Sequence, residues 1–203
     1  MSQILSQKIQ GSLIVDVIKQ EGLLSTPFQR VYFADVEDSF IGDFHLADDV
    51  ERLPNSRLKL ALGGRLNAYV NEVITLRSFM RYYQDDWGIV SGTAQIEMPI
   101  KLGMRWAIYP SYRYYKQSRA KYFGQYNTLL STDEFYTSDF DLSEYRSSQY
   151  GFGISYNDIF LDKKLLGMAL KGFDLKAIHY ERNTGLNAWM ISGGLKIVMA
   201  GGR

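Results

Sequence analysis

Residues 57–70 read RLKLALGGRLNAYV, with apolar or small residues at every second position: Leu58, Leu60, Leu62, Gly64, Leu66, Ala68 and Val70. From Lys59 onward the alternate positions are polar, small or amphipathic: Lys59, Ala61, Gly63, Arg65, Asn67 and Tyr69. A period of two predicts a strand with one greasy and one wet face. At about 3.3 Å per residue the stretch reaches roughly 45 Å. Strands of soluble domains are usually about 5–6 residues long. The length suits a strand that crosses a bilayer at a tilt.

Similar alternation predicts eight strands, over residues 8–20, 57–70, 73–84, 89–98, 104–117, 145–156, 172–182 and 186–199. The first is imperfect, because Ile14 and Ile18 share a face with Ser12 and Asp16. Elsewhere Ile96 and Met98 oppose Gln95 and Glu97, and Phe152 and Ile154 oppose Gly151 and Gly153. The connections are unequal. Val70-Asn71-Glu72-Val73 is a tight hairpin and residues 99–103 a short turn, while 157–171 is longer with an Asp162-Lys163-Lys164 tip. These alternate with 21–56, 85–88, 117–144 and 183–185, two of which are very long. Long loops on one side and mostly short turns on the other are the layout of outer-membrane barrels. The predicted fold is therefore all-β: one antiparallel transmembrane β-barrel domain over residues 1–203, with about eight strands and long extracellular loops at 21–56 and 117–144. The first long loop mixes Phe28, Val31, Tyr32, Phe33, Phe40, Ile41 and Phe44 with acids, which predicts a packed loop, folded into a lumen or over its mouth.

Composition narrows the class. The 23 basic residues are balanced by 22 acidic ones, which argues against a nucleic-acid partner. There is no cysteine, hence no disulfide framework and no thiolate chemistry. Fifteen tyrosines and only 4 prolines favour strands, and amphipathic rings gather at membrane–water boundaries. No apolar run is long enough for a membrane helix, a test that a half-apolar barrel strand need not pass. Met1-Ser2-Gln3-Ile4-Leu5-Ser6-Gln7-Lys8 shows no basic segment followed by an apolar core, so no export signal is read there.

The wet faces collect cations: Lys59, Arg65, Arg77, Arg81, Arg105 and Arg113, against Asp16 and Glu97. Two readings stay open. The face lines a basic lumen that favours anions, or it is a salt-bridge network filling a narrow barrel. Arg81-Tyr82-Tyr83-Gln84 and Arg113-Tyr114-Tyr115-Lys116 form a short repeat. In each, the Arg and the second Tyr face inward, giving Tyr83 and Tyr115 as ligand candidates able to grip a sugar, carboxylate or phosphate beside their arginines. Tyr82, Trp106, Tyr112, Tyr114, Tyr150, Tyr156 and Trp189 face outward as a candidate aromatic girdle. Asp35, Glu37, Asp38, Asp43, Asp48, Asp49 and Glu51 surround His45 but match no EF-hand spacing. They read as a solvated loop partnering Arg30, Arg52 and Arg57, and no metal site is assigned. Asp85-Asp86-Trp87-Gly88 reads as a tight loop with a left-handed glycine. With no G-x-S-x-G, H-E-x-x-H, P-loop or G-x-G-x-x-G, no enzyme or cofactor is predicted. His179 is the one histidine placed in a wall, and its face is ambiguous.

Several segments resemble a family of uncharacterised outer-membrane barrel proteins of Gram-negative bacteria. They are Ser6-Gln7, Gly22-Leu23-Leu24-Ser25-Thr26-Pro27-Phe28-Gln29-Arg30-Val31-Tyr32-Phe33, Glu51-Arg52-Leu53-Pro54-Asn55-Ser56-Arg57, Arg81-Tyr82-Tyr83-Gln84-Asp85-Asp86-Trp87-Gly88-Ile89, Tyr112-Arg113-Tyr114-Tyr115-Lys116-Gln117-Ser118 and Phe135-Tyr136-Thr137-Ser138-Asp139. The resemblance implies a barrel in the outer membrane with no known enzymatic activity. It also implies that the chain corresponds to the C-terminal half of a larger barrel preceded by an export signal. The expected function is porin-like passage or binding of small anionic or polar solutes, or a membrane subunit of an envelope complex. Its partners would be the lipid bilayer and other envelope proteins. The alternatives are a soluble β-barrel that holds an apolar ligand against Leu58, Leu60, Leu62 and Leu66, and an outer-membrane enzyme that uses His179.

Overall fold

β-Branched and aromatic residues at alternate positions fit a pleated surface, and they dominate the long strands of the computed structural model, which describes residues 2–158, 164–165 and 168–199. In chain order the strands are β1 (Ser2–Ser6), β2 (Ile9–Glu21), β3 (Arg30–Val31), β4 (Phe40–Ile41), β5 (Phe44–His45), β6 (Asp49–Val50), β7 (Ser56–Tyr69) and β8 (Thr75–Asp85). They continue with β9 (Val90–Glu97), β10 (Ile100–Leu102), β11 (Trp106–Gln117), β12 (Tyr145–Asn157), β13 (Lys164–Leu165), β14 (Met168–Arg182) and β15 (Asn187–Met199). One 3-10 turn, Phe140–Leu142, interrupts the second long loop. An 11-stranded antiparallel sheet runs β1-β2-β7-β8-β9-β11-β12-β14, with β10 on β11 and both β13 and β15 on β14. The sheet is open, with β1 and the part of β2 beyond Ser12 at one edge and β15 at the other. The closed barrel expected from the sequence is thus corrected to an open sheet of the predicted strands plus short additions. Ser2–Ser6, left outside the predicted strands, pairs with β2. The turn at 99–103 contains β10. The Asp162-Lys163-Lys164 tip lies largely outside the described residues.

Register fixes the two faces, because residues directly opposite in a ladder share a side. One continuous row runs Val15–Leu62–Tyr82–Gly92. Farther along the sheet, Ile96–Tyr112–Tyr150–His179–Trp189 form another on the same face. On the opposite face Asp16–Ala61–Tyr83–Ser91–Gln117–Tyr145 pair in the same way.

Exposure of the two faces is the reverse of a soluble sheet. Leu62 is 45% exposed and Ile96 44%, whereas Ser91 is 7% exposed. Up to the β14 bulge at Leu170/Gly172, which holds Lys171, the apolar face of the described strands carries Lys, Arg, Asp or Glu only near its loop end: Lys19, Glu21, Lys116, Arg146 and Glu181. Aromatics mark both ends. Trp106, Tyr156 and Phe173 cluster at the short-turn end, with Trp106–Tyr156 centroids 4.9 Å apart. Tyr112 and Tyr150 meet at 5.2 Å nearer the loops.

The buried apolar core lies in the loops. Val31, Phe33, Leu129 and Tyr136 form one cluster, and Ile89, Ala120 and Phe123 another, packed against Tyr83 and Leu142. The two long loops are stitched together by bridges Phe33–Leu129 and Arg52–Tyr136. The acids serve as staples for this cap. Glu51 accepts from the Thr26 amide at 2.8 Å and the Thr137 hydroxyl at 2.5 Å. Asp48 accepts from the Phe33 amide at 2.8 Å, and Asp49 from the Tyr136 hydroxyl at 2.6 Å. Burial first, and then that carboxylate, raises the Tyr136 phenol above its ordinary value. Ser131 donates its amide and hydroxyl to Asp35 and holds that carboxyl below its usual range. The arginine partners expected for the acidic loop are therefore corrected to amides and hydroxyls, which reach a carboxylate without long side chains having to be ordered. Among the described residues Asp38 is the acid that reaches His45, at 3.3 Å.

Two outcomes follow for the cap. Glu51→Ala strips the acceptor from the buried Thr137 hydroxyl and should cost about 1–3 kcal/mol; faster hydrogen exchange confined to loops 22–55 and 118–144 is the readout, and an unchanged exchange pattern would contradict the staple. Gly88 has φ +89° in the 85–88 turn. Gly88→Ala should cost about 1–2 kcal/mol there, measured as a lower denaturation midpoint with the sheet's circular dichroism intact.

Candidate functional site

The polar face becomes a site where β8, β9 and β11 run side by side. Three ladder rows define it. The upper row is Tyr83–Ser91–Gln117, the middle row Arg81–Thr93–Tyr115 and the lower row Phe79–Gln95–Arg113. β9 contributes the short Ser91 and Thr93 in the middle of the upper two rows and Gln95 in the lower, while β8 and β11 contribute long side chains on either side. The result is a trough: a floor of Ser91 and Thr93 between two Arg–Tyr walls. The walls stand two strand spacings apart, about 10 Å. A cavity of about 470 Å³ fills the trough and extends to Lys59, Arg57 and Ile18, under a roof of Ile89, Asp141 and Leu142.

Roof and rim are held by specific contacts. Gln117, buried in the wall, donates to the Asp141 carbonyl at 2.9 Å and the Ser143 carbonyl at 2.6 Å. It accepts from the Tyr115 hydroxyl at 2.7 Å. Arg182 pairs with the Asp141 carboxylate at 2.7 Å, donates to the Phe140 carbonyl and lies 3.5 Å over the Tyr145 ring. At the rim the Asp85 carboxylate is fully buried and collects Arg57 at 2.5 Å, the Tyr83 hydroxyl at 2.7 Å and the Ile89 amide at 2.9 Å. Arg57 also stacks 4.3 Å over Trp87, whose indole donates to the Ser56 carbonyl at 3.0 Å. Both tyrosine hydroxyls are thus committed, while Tyr83 packs against the Ile89 cluster and Tyr115 lies 5.5 Å from the Tyr145 ring.

Charge within the trough is uneven. Arg81 reaches Asp16 at 3.0 Å, and Asp85 and Asp141 are taken by Arg57 and Arg182. Lys59 and Arg113 have no carboxylate within 4.0 Å among the described residues. Toward the short-turn end a second cavity of about 420 Å³ is more nearly balanced. There Glu97 takes both Arg77 at 3.1 Å and Lys176 at 3.5 Å, with Asp174 and Lys196 in the same lining.

The structure brings Lys59, Arg81, Tyr83, Arg113 and Tyr115 into the upper cavity and Arg77 into the lower one. Arg65 shares the polar face and lies 5.5 Å over Phe79. Arg105 does not join them: it precedes β11 and sits 3.7 Å from the buried Asp158. Tyr82, Trp106, Tyr112, Tyr114, Tyr150, Tyr156 and Trp189 all stand on the apolar face, but Tyr156 is buried beneath Trp106 and Phe173. His179 joins this apolar face, stacked 4.5 Å from Trp189 and 2.7 Å from the Asn187 amide oxygen, away from both cavities. Among the described residues no three His, Asp or Glu side chains converge as a metal site. Sequence reasoning missed Gln117 and Arg182, whose partners lie in a loop that carries no period; the one available signal was their place at the loop ends of strands.

Comparison with curated proteins and with solved structures returned no match. Residues 1–201 match a family model described as "Protein of unknown function (DUF3570)", and the chain therefore belongs to the DUF3570 family.

Proposed function

We propose that this chain forms wall strands of an outer-membrane β-barrel in a Gram-negative bacterium, with its polar face on an aqueous lumen that admits small anionic or polar solutes. The inverted exposure of the sheet carries the reading. Burying one large apolar side chain is worth about 1.5–3 kcal/mol, and Leu13, Val15, Leu62, Met80, Ile96, Phe152 and Ile191 all lie uncovered on one face. Lipid would cover them. On a lipid-facing surface a mid-bilayer Lys or Arg costs about 2–4 kcal/mol, which accounts for the confinement of charge to the loop end. Trp106 to Tyr114 spans nine residues of β11, the lower end of the about 9–11 residues that a tilted strand needs to cross the hydrocarbon.

In this reading the stapled loops face the cell exterior and the short turns face the periplasm. Unpaired backbone groups cost several kcal/mol each in hydrocarbon, so in the membrane the β2 and β15 edges pair with each other or with further strands. A larger envelope assembly is one source of such strands. A soluble barrel holding an apolar ligand would need the leucine face enclosed, whereas Leu58, Leu62 and Leu66 are each more than 40% exposed. The reading assigns no catalytic step and no cofactor.

Purified protein should require detergent, show heat-modifiable migration on gels, and enter phospholipid vesicles with strong quenching of tryptophan fluorescence by brominated acyl chains. Trp189, 71% exposed on the apolar face, would be the most affected. A folded protein that stays in water without detergent, with unquenched tryptophans, would remove the membrane reading.

A further inference from the structure

The upper cavity has a geometry that passage alone does not require. A pore wall needs charge, but it needs neither a roof held by two dedicated side chains nor aromatic rings fixed by committed hydroxyls. Gln117 and Arg182 spend their hydrogen bonds on residues 140–143, and so place Leu142 over the trough. Tyr83 and Tyr115 have their hydroxyls locked by Asp85 and Gln117, and both side chains line the cavity beside Ser91 and Thr93. Arg113 is the part left over: among the described residues it has no ion pair, and it stands one ladder row below Tyr115. Arg81 stands diagonally from it, opposite Tyr115 across Thr93, and is held on its far side by Asp16.

We infer that this trough is a binding site for a sugar-sized organic anion. Its carboxylate or phosphate would lie over the Thr93 floor between Arg113 and Arg81, with its ring between Tyr83 and Tyr115 beneath Leu142. A guanidinium meets a carboxylate or phosphate through two parallel hydrogen bonds, which fixes orientation as well as charge. The volume, about 470 Å³, is in the range of small-ligand sites. The inference rests on the polar face being a water-filled lumen and adds to it a selective step at the loop end.

The test is calorimetric titration of the detergent-folded protein with glucuronate, glucose 6-phosphate, glucose and inorganic phosphate. At least one of the two charged sugars should bind saturably, with the preferred one naming the anion, and glucose and inorganic phosphate should each bind at least tenfold more weakly. Arg113→Gln, checked for heat-modifiable migration, should weaken the charged sugar at least tenfold. Arg146→Gln, a cation on the opposite face, should leave it unchanged. No saturable binding of either charged sugar, equal binding of glucose, or unaltered affinity in R113Q would overturn the site. Loss of binding with vesicle insertion intact discards the site and keeps the wall; binding without insertion does the reverse.

Discussion

Paired residues in an antiparallel ladder stand on the same side, so a slip of one residue would exchange the two faces of a whole strand. Across β2, β7, β8, β9, β11, β12, β14 and β15 the register keeps one parity throughout, up to the bulge at Leu170/Gly172 near the end of β14. Everything else depends on that continuity. It gathers leucine, valine and aromatic residues on one surface, and it brings Arg81, Arg113, Tyr83 and Tyr115 together although they come from strands separated in sequence.

The sheet is not stabilised as a soluble sheet would be. Its apolar face is uncovered, and the buried apolar core lies in the loops above it. That division explains why the loops are so rich in acids. A connection of this length has many backbone amides without a ladder partner, and a buried amide left unpaired costs about as much as a lost hydrogen bond. Glu51, Asp48, Asp35 and Asp85 each accept one or more of them. The cap is therefore positioned well enough to lower residues 140–143 onto the trough.

Much of this was legible in the residues. The strands were found to within a few positions because a period of two persists over 8 to 15 residues in each. The division of the Arg-Tyr-Tyr repeat between the polar and the apolar face follows from the same period. Closure was not legible, since strand parity says nothing about whether β2 and β15 meet. The short strands β1 and β10 lacked the length for a pattern. Arg105 has the right parity but lies past the end of its ladder, where parity loses meaning. The cap escaped for a different reason: its bonds run over sequence separations such as Glu51 to Thr137 and Gln29 to Ser138, which no local window contains. His179 was ambiguous because its strand alternates weakly, and only the pairing with Tyr150 and Trp189 assigns it to the apolar face.

The alternation of β7 is the most direct point of attack, and the absence of cysteine makes it accessible. Single cysteines placed in turn at residues 58–67, spin-labelled in protein reconstituted into phospholipid vesicles, would be read by power saturation with oxygen and with a water-soluble nickel chelate. The account predicts preferential oxygen access at Leu58, Leu60, Leu62, Gly64 and Leu66, preferential chelate access at Lys59, Arg65 and Asn67, and little access of either reagent at the buried Ala61 and Gly63. Equal access at both sets, or the opposite alternation, would contradict it.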